Sequence, residues 1–358
     1  MRVAKPRRAM VVGTGLIGAS AGMALRRAGW HVSGTDSDAA RQAEAAERGA
    51  LDEVGVDPDA DLAIVAVPVG AIAHVAREAL AALGPSAAVT DVGGVKASVV
   101  EAVRSPRFVG GHPMAGSELE GPQGADPSLF EGATWVLTPV GDTDPEAFRL
   151  VSSVVGDLGA EVVALSPERH DALVAIVSHV PHLVAATMMA EAAAEAEEHA
   201  VLLRLAAGGF RDMTRVASGH PGIWPEVCKQ NAIPIKEGLG RLRSALDRVI
   251  STIDAGDSVG LTDLLESARK ARRSLPKGAA SAGPLSELRI RIPDRPGLLA
   301  ELTTTAGELG INLFDLEIAH SAEGDLGVAI LVVGSAQAAP LREALVANGM
   351  RVATRELG

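Results

Sequence analysis

Val11-Val12-Gly13-Thr14-Gly15-Leu16-Ile17-Gly18 decides how the first half of this chain is read. A β-branched run, Ala9–Val12, enters a Gly-x-Gly-x-x-Gly turn, and an Ala-rich helical pattern follows it. In that context Gly13 permits the tight turn, Gly15 lets backbone approach a pyrophosphate, and Gly18 lets helix and strand pack closely. Thr14, Leu16 and Ile17 complete the loop, and the free N–H groups at the helix start suit phosphate oxygens. A second strand, His31–Thr35, runs into Asp36, 18 positions after Gly18, where a carboxylate bonds the adenine ribose hydroxyls. Asp36 also repels a 2′-phosphate, so NAD is expected over NADP, with Ser37 weakening the preference. Val67 and Pro68, closing a later strand, are read as further cofactor contacts. The competing reading is a glycine-rich turn in an unrelated α/β fold; strand, helix and acidic residue in register count against it.

Outward from the loop the chain shows three textures. Strand patterns at Ala9–Val12, His31–Thr35, Asp61–Val67, Ala87–Asp91, Phe108–Gly110, Thr134–Leu137 and Glu161–Leu165 alternate with helical stretches. This predicts βαβ units and a mainly parallel sheet, an α/β Rossmann-type dinucleotide-binding domain over 1–165. From 166 to 275 strands vanish, and Ala172–Ala194, Glu195–Ala207, Pro225–Ala255 and Leu261–Arg273 carry apolar faces at helical spacing. An all-helical substrate and dimerisation domain is expected there, because so much apolar surface needs a large partner. A linker rich in Pro, Gly and Ala occupies 276–285. Past it, 286–358 has the order β-α-β-β-α-β, a ferredoxin-like arrangement. Its strands are expected at Glu287–Ile292, Asn312–Ala319, Gly327–Val333 and Arg351–Thr354, with a hairpin turn at Ser321–Asp325.

Composition narrows the function classes. With 358 residues, 47% of them hydrophobic, the chain can bury a substantial core. A net charge of −12 argues against a nucleic-acid surface. The single Cys228 excludes a disulfide framework and a cysteine-clustered zinc site, and is expected to be a small buried apolar group. The basic start, Met1–Arg8, leads into an apolar run that breaks at the glycine loop, unlike a signal peptide. No membrane span and a cytoplasmic location are expected. Tyrosine is absent, so no phenol side chain can serve a reaction here.

Three motifs carry chemistry. Gly110-Gly111-His112-Pro113-Met114-Ala115-Gly116-Ser117-Glu118 puts a histidine just past an expected strand end, where parallel sheets form their crevice. A neutral imidazole, with an ordinary pKa of about 6.5, can accept an alcohol proton as hydride leaves the carbinol carbon. Ser178-His179-Val180-Pro181-His182 sets two histidines on one helical face; a metal is not expected, because no carboxylate or cysteine has ligand spacing. Arg211 and Arg215, beside Gly208-Gly209, read as a carboxylate clamp in an acidic chain.

Gly13–Gly18, Gly110–Glu118, Ser178–His182, Arg211–Arg215 and Trp224 occur in the order seen in prephenate dehydrogenases. The end of the chain, with Pro293-Asp294-Arg295-Pro296-Gly297 and Gly310-Ile311-Asn312, resembles an ACT domain, an amino-acid-sensing module. The resemblance implies NAD-dependent oxidative decarboxylation of prephenate to 4-hydroxyphenylpyruvate by a homodimer. It implies that His112 takes the ring hydroxyl proton and that Arg215 holds a substrate carboxylate. Ser117, Glu118, Ser178, His182, Arg211 and Trp224 would line or gate the pocket. Asp294, Gly297 and Asn312 would take an aromatic amino acid effector; Asp294 also suits a helix N-cap. One position departs: Gly94, in Asp91-Val92-Gly93-Gly94-Val95-Lys96, stands where the family commonly has a serine that helps orient the histidine. Lys96 is a candidate supporting group. Rival readings are an arogenate dehydrogenase, a β-hydroxy-acid dehydrogenase, and a non-catalytic sensor of NAD and an amino acid.

Overall fold

The structure, a computed structural model, describes residues 7–116, 119, 121–198, 205–219, 221–274, 285–293, 297–313, 315–320 and 326–357. Packing separates two units, Met1–Ala279 and Ala280–Gly358. The first opens with β1 (Arg8–Val12), α1 (Leu16–Arg27), β2 (His31–Thr35), α2 (Ala39–Glu47), β3 (Glu53–Val54), β4 (Leu62–Val65) and α3 (Val69–Ala82). It continues through β5 (Ala88–Asp91), α4 (Ala97–Val103), β6 (Phe108–Pro113), β7 (Thr134–Thr138), α5 (Pro145–Asp157) and β8 (Glu161–Ala164). The sheet order is β3-β2-β1-β4-β5-β6-β7-β8. Every pairing is parallel except β6–β7, so the doubly wound order 3-2-1-4-5-6 gains two further strands through one antiparallel junction.

Strand periodicity sorts the core into two layers. Ala9, Val11, Leu62, Ile64 and Ala88 face α1 and α5, in a cluster with Leu25, Val151 and Trp135. Met10, Ala63, Val65 and Val89 face the opposite way, onto Ile72, Ala76 and Leu80 of α3 and Val99 of α4. Both faces are thereby buried, as a parallel sheet requires.

The helical segment holds α6 (Pro167–Val174), a π turn (Ala175–His179), α7 (Val180–Glu198), α8 (Gly208–Thr214), α9 (Trp224–Gln230), α10 (Ala232–Asp254) and α11 (Ser258–Arg273). Two breaks correct the sequence expectation. Pro181 has no N–H for a normal helical bond, and just before it the Val180 N–H reaches back five residues to the Ala175 carbonyl. Pro234 does the same to the expected 225–255 helix, which breaks at Asn231. The expected Glu195–Ala207 helix is not continuous either: Ala207 is extended and caps α8, which sequence reading missed.

The run Pro167–Ala196 is, by length and composition, apolar enough to cross a membrane, with a mean hydropathy of 1.7 over 18 residues. Only 28% of that window is buried within the chain, and it carries the polar cluster described below. Its exposed residues include Ile176 and Val177; Leu246, Ile250, Ile253, Val259, Leu264 and Leu265 are exposed on α10 and α11.

The second unit contains β9 (Leu285–Pro293), α12 (Leu298–Glu308), β10 (Asp315–His320), β11 (Leu326–Gly334), α13 (Ser335–Ala347) and β12 (Arg351–Leu357). Its four strands form an antiparallel sheet in the order β10-β11-β9-β12. Leu288, Ile290 and Leu331 pack against Leu302 of α12 and Leu341 and Leu345 of α13. The expected turn at 321–325 lies outside the described residues.

Candidate active site

The carboxyl ends of β1, β4, β5 and β6 point to one edge of the sheet, and the sequence-predicted residues gather along it. Gly13 has φ of +94° and lies under the Ala66 carbonyl, where a Cβ would come within 2.3 Å of that oxygen. A Cβ on Gly18 would lie 1.9 Å from the Gly13 carbonyl oxygen, so helix α1 packs against its own loop as only glycine allows. At Gly15 a Cβ would meet nothing within 4 Å. The loop is therefore closed at both ends and open in the middle, the shape a pyrophosphate needs. Val67 lies over Gly13, and Pro68 precedes α3. Asp36 accepts the Thr14 N–H at 2.7 Å and the Asp38 N–H at 2.9 Å, which holds its carboxylate against the loop. Arg41 sits beside it, with Nη1 3.8 Å from Asp36 Oδ1.

His112 lies inside β6 rather than past its end. Pairing with β7 continues the strand through Pro113, with His112 opposite Val136. The flanking glycines also have a different reason than ligand access: a Cβ on Gly110 would lie 2.5 Å from Thr138 Oγ1, and one on Gly111 2.6 Å from the Asp91 carbonyl. They let β6 fit tightly between β5 and β7. Asp91 Oδ1 accepts the Gly111 N–H at 3.1 Å, and Lys96 Nζ donates to the Gly111 carbonyl at 2.8 Å. Lys96 is completely buried and pairs with Asp91 Oδ2. Burial lowers the Lys96 pKa, and Asp91 opposes that shift. The pair thus grips both backbone polar groups of Gly111, the residue before His112.

Around the imidazole stands a set of groups that sequence reading missed. His112 Nδ1 is 2.9 Å from His170 Nε2, and His170 Nδ1 is 2.8 Å from Asp171 Oδ1. Asp171 accepts the Lys96 N–H at 2.8 Å and the Ala97 N–H at 2.9 Å, at the start of α4. Asn231 Nδ2 donates to the Asp171 carbonyl at 3.0 Å and lies 3.1 Å from His179 Nδ1. The signal available was the His170-Asp171 dipeptide opening a helix, which no local spacing connects to His112. Burial drives the His112 pKa well below 6.5, reinforced by His170, Lys96 and His179, so the ring is a neutral base at neutral pH. A Cβ at Gly94 would sit 3.8 Å from His112 Nε2 and Cε1, leaving space on that side of the ring.

Trp224, at the head of α9, joins the histidines of the helical segment. His182 stacks on its ring at 3.7 Å between centroids, and His179 meets it edge-on at 6.0 Å. His179 and His182 therefore separate in role: one is buried and bonded to Asn231, the other is a partly exposed wall. Burial lowers both, His179 to about 4. Ser178 is half-buried in the π turn. The short 3-10 turn Arg215–Ser218 packs on α7, and a Cβ on Gly219 would lie 3.9 Å from His182 Cε1. Arg215 and Arg211 are both exposed beside this wall. Ser117 and Glu118 lie outside the described residues. In the second unit Gly297 adopts φ of +88° before α12; Asn312 is exposed and precedes β10 instead of opening it; Asp294 lies outside the described residues. Cys228 is half-buried on α9. Among the described residues no group of three or more His, Cys, Asp or Glu could hold a metal ion.

Comparison with known proteins gives consistent matches. Residues 21–164 match the model for the nucleotide-binding domain of prephenate dehydrogenase, and residues 166–267 the model for its dimerization domain. Prephenate dehydrogenase of Bacillus subtilis (strain 168) is 30% identical over 335 residues, covering 89% of this chain and 90% of that protein. Among solved structures, prephenate dehydrogenase from A. aeolicus in complex with hydroxyphenyl propionate and NAD+ aligns with a TM-score of 0.71 at 28% identity, covering 76% of this chain and 99% of that one. Synechocystis arogenate dehydrogenase aligns with a TM-score of 0.66 at 33% identity, covering 74% and 99%.

Proposed function

The chain belongs to the prephenate dehydrogenase family, and from that premise we propose that it catalyses NAD-dependent oxidative decarboxylation of prephenate to 4-hydroxyphenylpyruvate. The observation that carries the reading is His112: a neutral, half-buried imidazole at the carboxyl edge of the sheet, tethered through Nδ1, with space at Nε2. The glycine loop fits the cofactor, because it is open at Gly15 and anchored to Asp36. Gly13, Thr14, Gly15, Leu16, Ile17, Gly18, Asp36, Val67 and Pro68 would hold it.

Bound NAD+ supplies the hydride acceptor. His112 Nε2 accepts the proton of the ring hydroxyl while hydride leaves the same carbon. As the ring carboxylate departs as carbon dioxide, its C–C bonding electrons flow through the ring to that oxygen, which recovers the proton as a phenol. Aromatisation supplies much of the driving force, so the residues chiefly align and exclude water. Arg215 pairs with a substrate carboxylate. Arg211, Ser178, His182, Trp224, Ser117 and Glu118 shape the pocket, with the His182–Trp224 stack as one wall.

The second reading is arogenate as substrate, favoured by the 33% identity to the Synechocystis enzyme. Initial rates of NADH formation with each substrate separate the two. A higher kcat/KM for prephenate is expected, and a higher value for arogenate would reverse the assignment.

The same reading makes the protein a soluble cytoplasmic homodimer, the exposed apolar surfaces of the π turn, α10 and α11 meeting a second copy. The C-terminal unit is read as a ferredoxin-like ACT module, supported by its β-α-β-β-α-β order and antiparallel sheet. Its effector would be an aromatic amino acid bound near Asp294, Gly297 and Asn312. Titration with tyrosine should inhibit turnover; unchanged rates at saturating tyrosine would assign the unit to assembly instead.

A further inference from the structure

We propose that His170, held by Asp171, is the positioning residue of this site: it fixes which nitrogen of His112 carries hydrogen and shares the proton that His112 takes up. The proposal rests on the reading of His112 as the base.

The hydrogen-bond order follows from one fixed end. Both oxygens of Asp171 already accept backbone N–H groups, from Lys96 and Ala97 at the open N-terminus of α4. A carboxylate only accepts, so the 2.8 Å contact to His170 must be a donation from His170 Nδ1–H. In the proposed order His170 holds no second hydrogen, so its lone pair lies on Nε2, which faces His112 Nδ1 at 2.9 Å. His112 must supply the hydrogen there. Its own lone pair is consequently left on Nε2, the nitrogen with space beside Gly94. A fixed carboxylate thus sets the tautomer of a ring it never touches.

Burial makes the arrangement consequential. His170 is fully buried, and Asp171 is nearly so. The ionisable groups whose charge acts on His112 are His170, Lys96, which is paired with Asp91, and His179. Charging the ring alone in that setting is unfavourable. Movement of the Nδ1 proton towards His170 places the positive charge next to Asp171. Gly94, on the other side of the ring, has no side-chain group to orient it, which leaves that task to the tether. The three groups come from β6 and α6, with Asp171 tied to α4, so the device also locks the helical segment onto the sheet.

Two measurements test it. Nitrogen-15 NMR of the imidazoles in the full-length wild-type protein at neutral pH should show both His112 and His170 protonated on Nδ1 and free on Nε2. His112 protonated on Nε2 would overturn the proposal. In kinetics, His170→Ala should lower kcat by about 100-fold, with KM for prephenate within about threefold. His170→Gln, whose amide oxygen can accept from His112 Nδ1–H, should recover about tenfold of that loss. A kcat for His170→Ala within about twofold of wild type would also overturn it. If the wild type oxidises neither prephenate nor arogenate, the assigned reaction fails, while the NMR result still decides the hydrogen-bond order. The NMR result likewise decides if the variants do not fold.

Discussion

A side chain at Gly94 would make ordinary contact with the His112 ring, and the backbone there needs no left-handed conformation. Gly94→Ser is therefore expected to fold with an unchanged melting temperature and to raise kcat by a few-fold, measured as NADH formation. A fall in kcat would mean that the hydroxyl competes for His112 Nε2. Lys96 is the opposite case. Lys96→Met would leave the Asp91 carboxylate buried without its cation, and should cost about 3–5 kcal/mol in urea unfolding. Asp36→Ala should weaken NAD binding and let Arg41 meet a 2′-phosphate, so that the NADP/NAD ratio of kcat/KM rises. At this scale the sequence was legible where chemistry sits in a local pattern: the Gly13–Gly18 loop, Asp36 and His112 all announce themselves by their neighbours. His170 and Asn231 do not, because they become relevant only when α6 and α10 fold against β6 and the π turn.

Between elements, the π turn before Pro181 and the break at Asn231 before Pro234 bring His179 and α10 together. The helical texture of both regions was plain from apolar spacing. Their breaks were harder to place, since a proline forbids a hydrogen bond without saying how the chain will accommodate it. The strand end at Gly110 was misjudged for a related reason: β7 pairs antiparallel with β6 and carries it on through His112. His179 links this geometry to pH. Its pKa falls from 6.5 to about 4, first through burial, so between those values the folded protein binds fewer protons than the unfolded chain. Stability is therefore present above pH 6.5 and is lost as pH falls towards 4. The melting temperature should drop across that interval, and His179→Gln should flatten the drop; an unchanged slope would remove His179 as a source.

Over the whole molecule, the division into an α/β region, a helical region and a small β-α-β-β-α-β unit was readable from texture alone. What composition could not say is which apolar surface stays exposed once the chain has folded. Leu246, Ile250 and Ile253 on α10, with Leu264 and Leu265 on α11, remain uncovered. Ile250→Glu combined with Leu265→Glu should convert a dimer to a monomer in light scattering, and a persistent dimer would move the interface elsewhere. His112 is proposed as the base in oxidising prephenate. Its most direct test is the kcat/KM for prephenate of wild type and His112→Asn, with NADH and carbon dioxide both quantified. One NADH and one carbon dioxide per turnover are expected for the wild type, and a loss of at least about 1,000-fold in the variant, which still binds NAD. A variant within tenfold of wild type, at roughly equal NAD affinity, would contradict it.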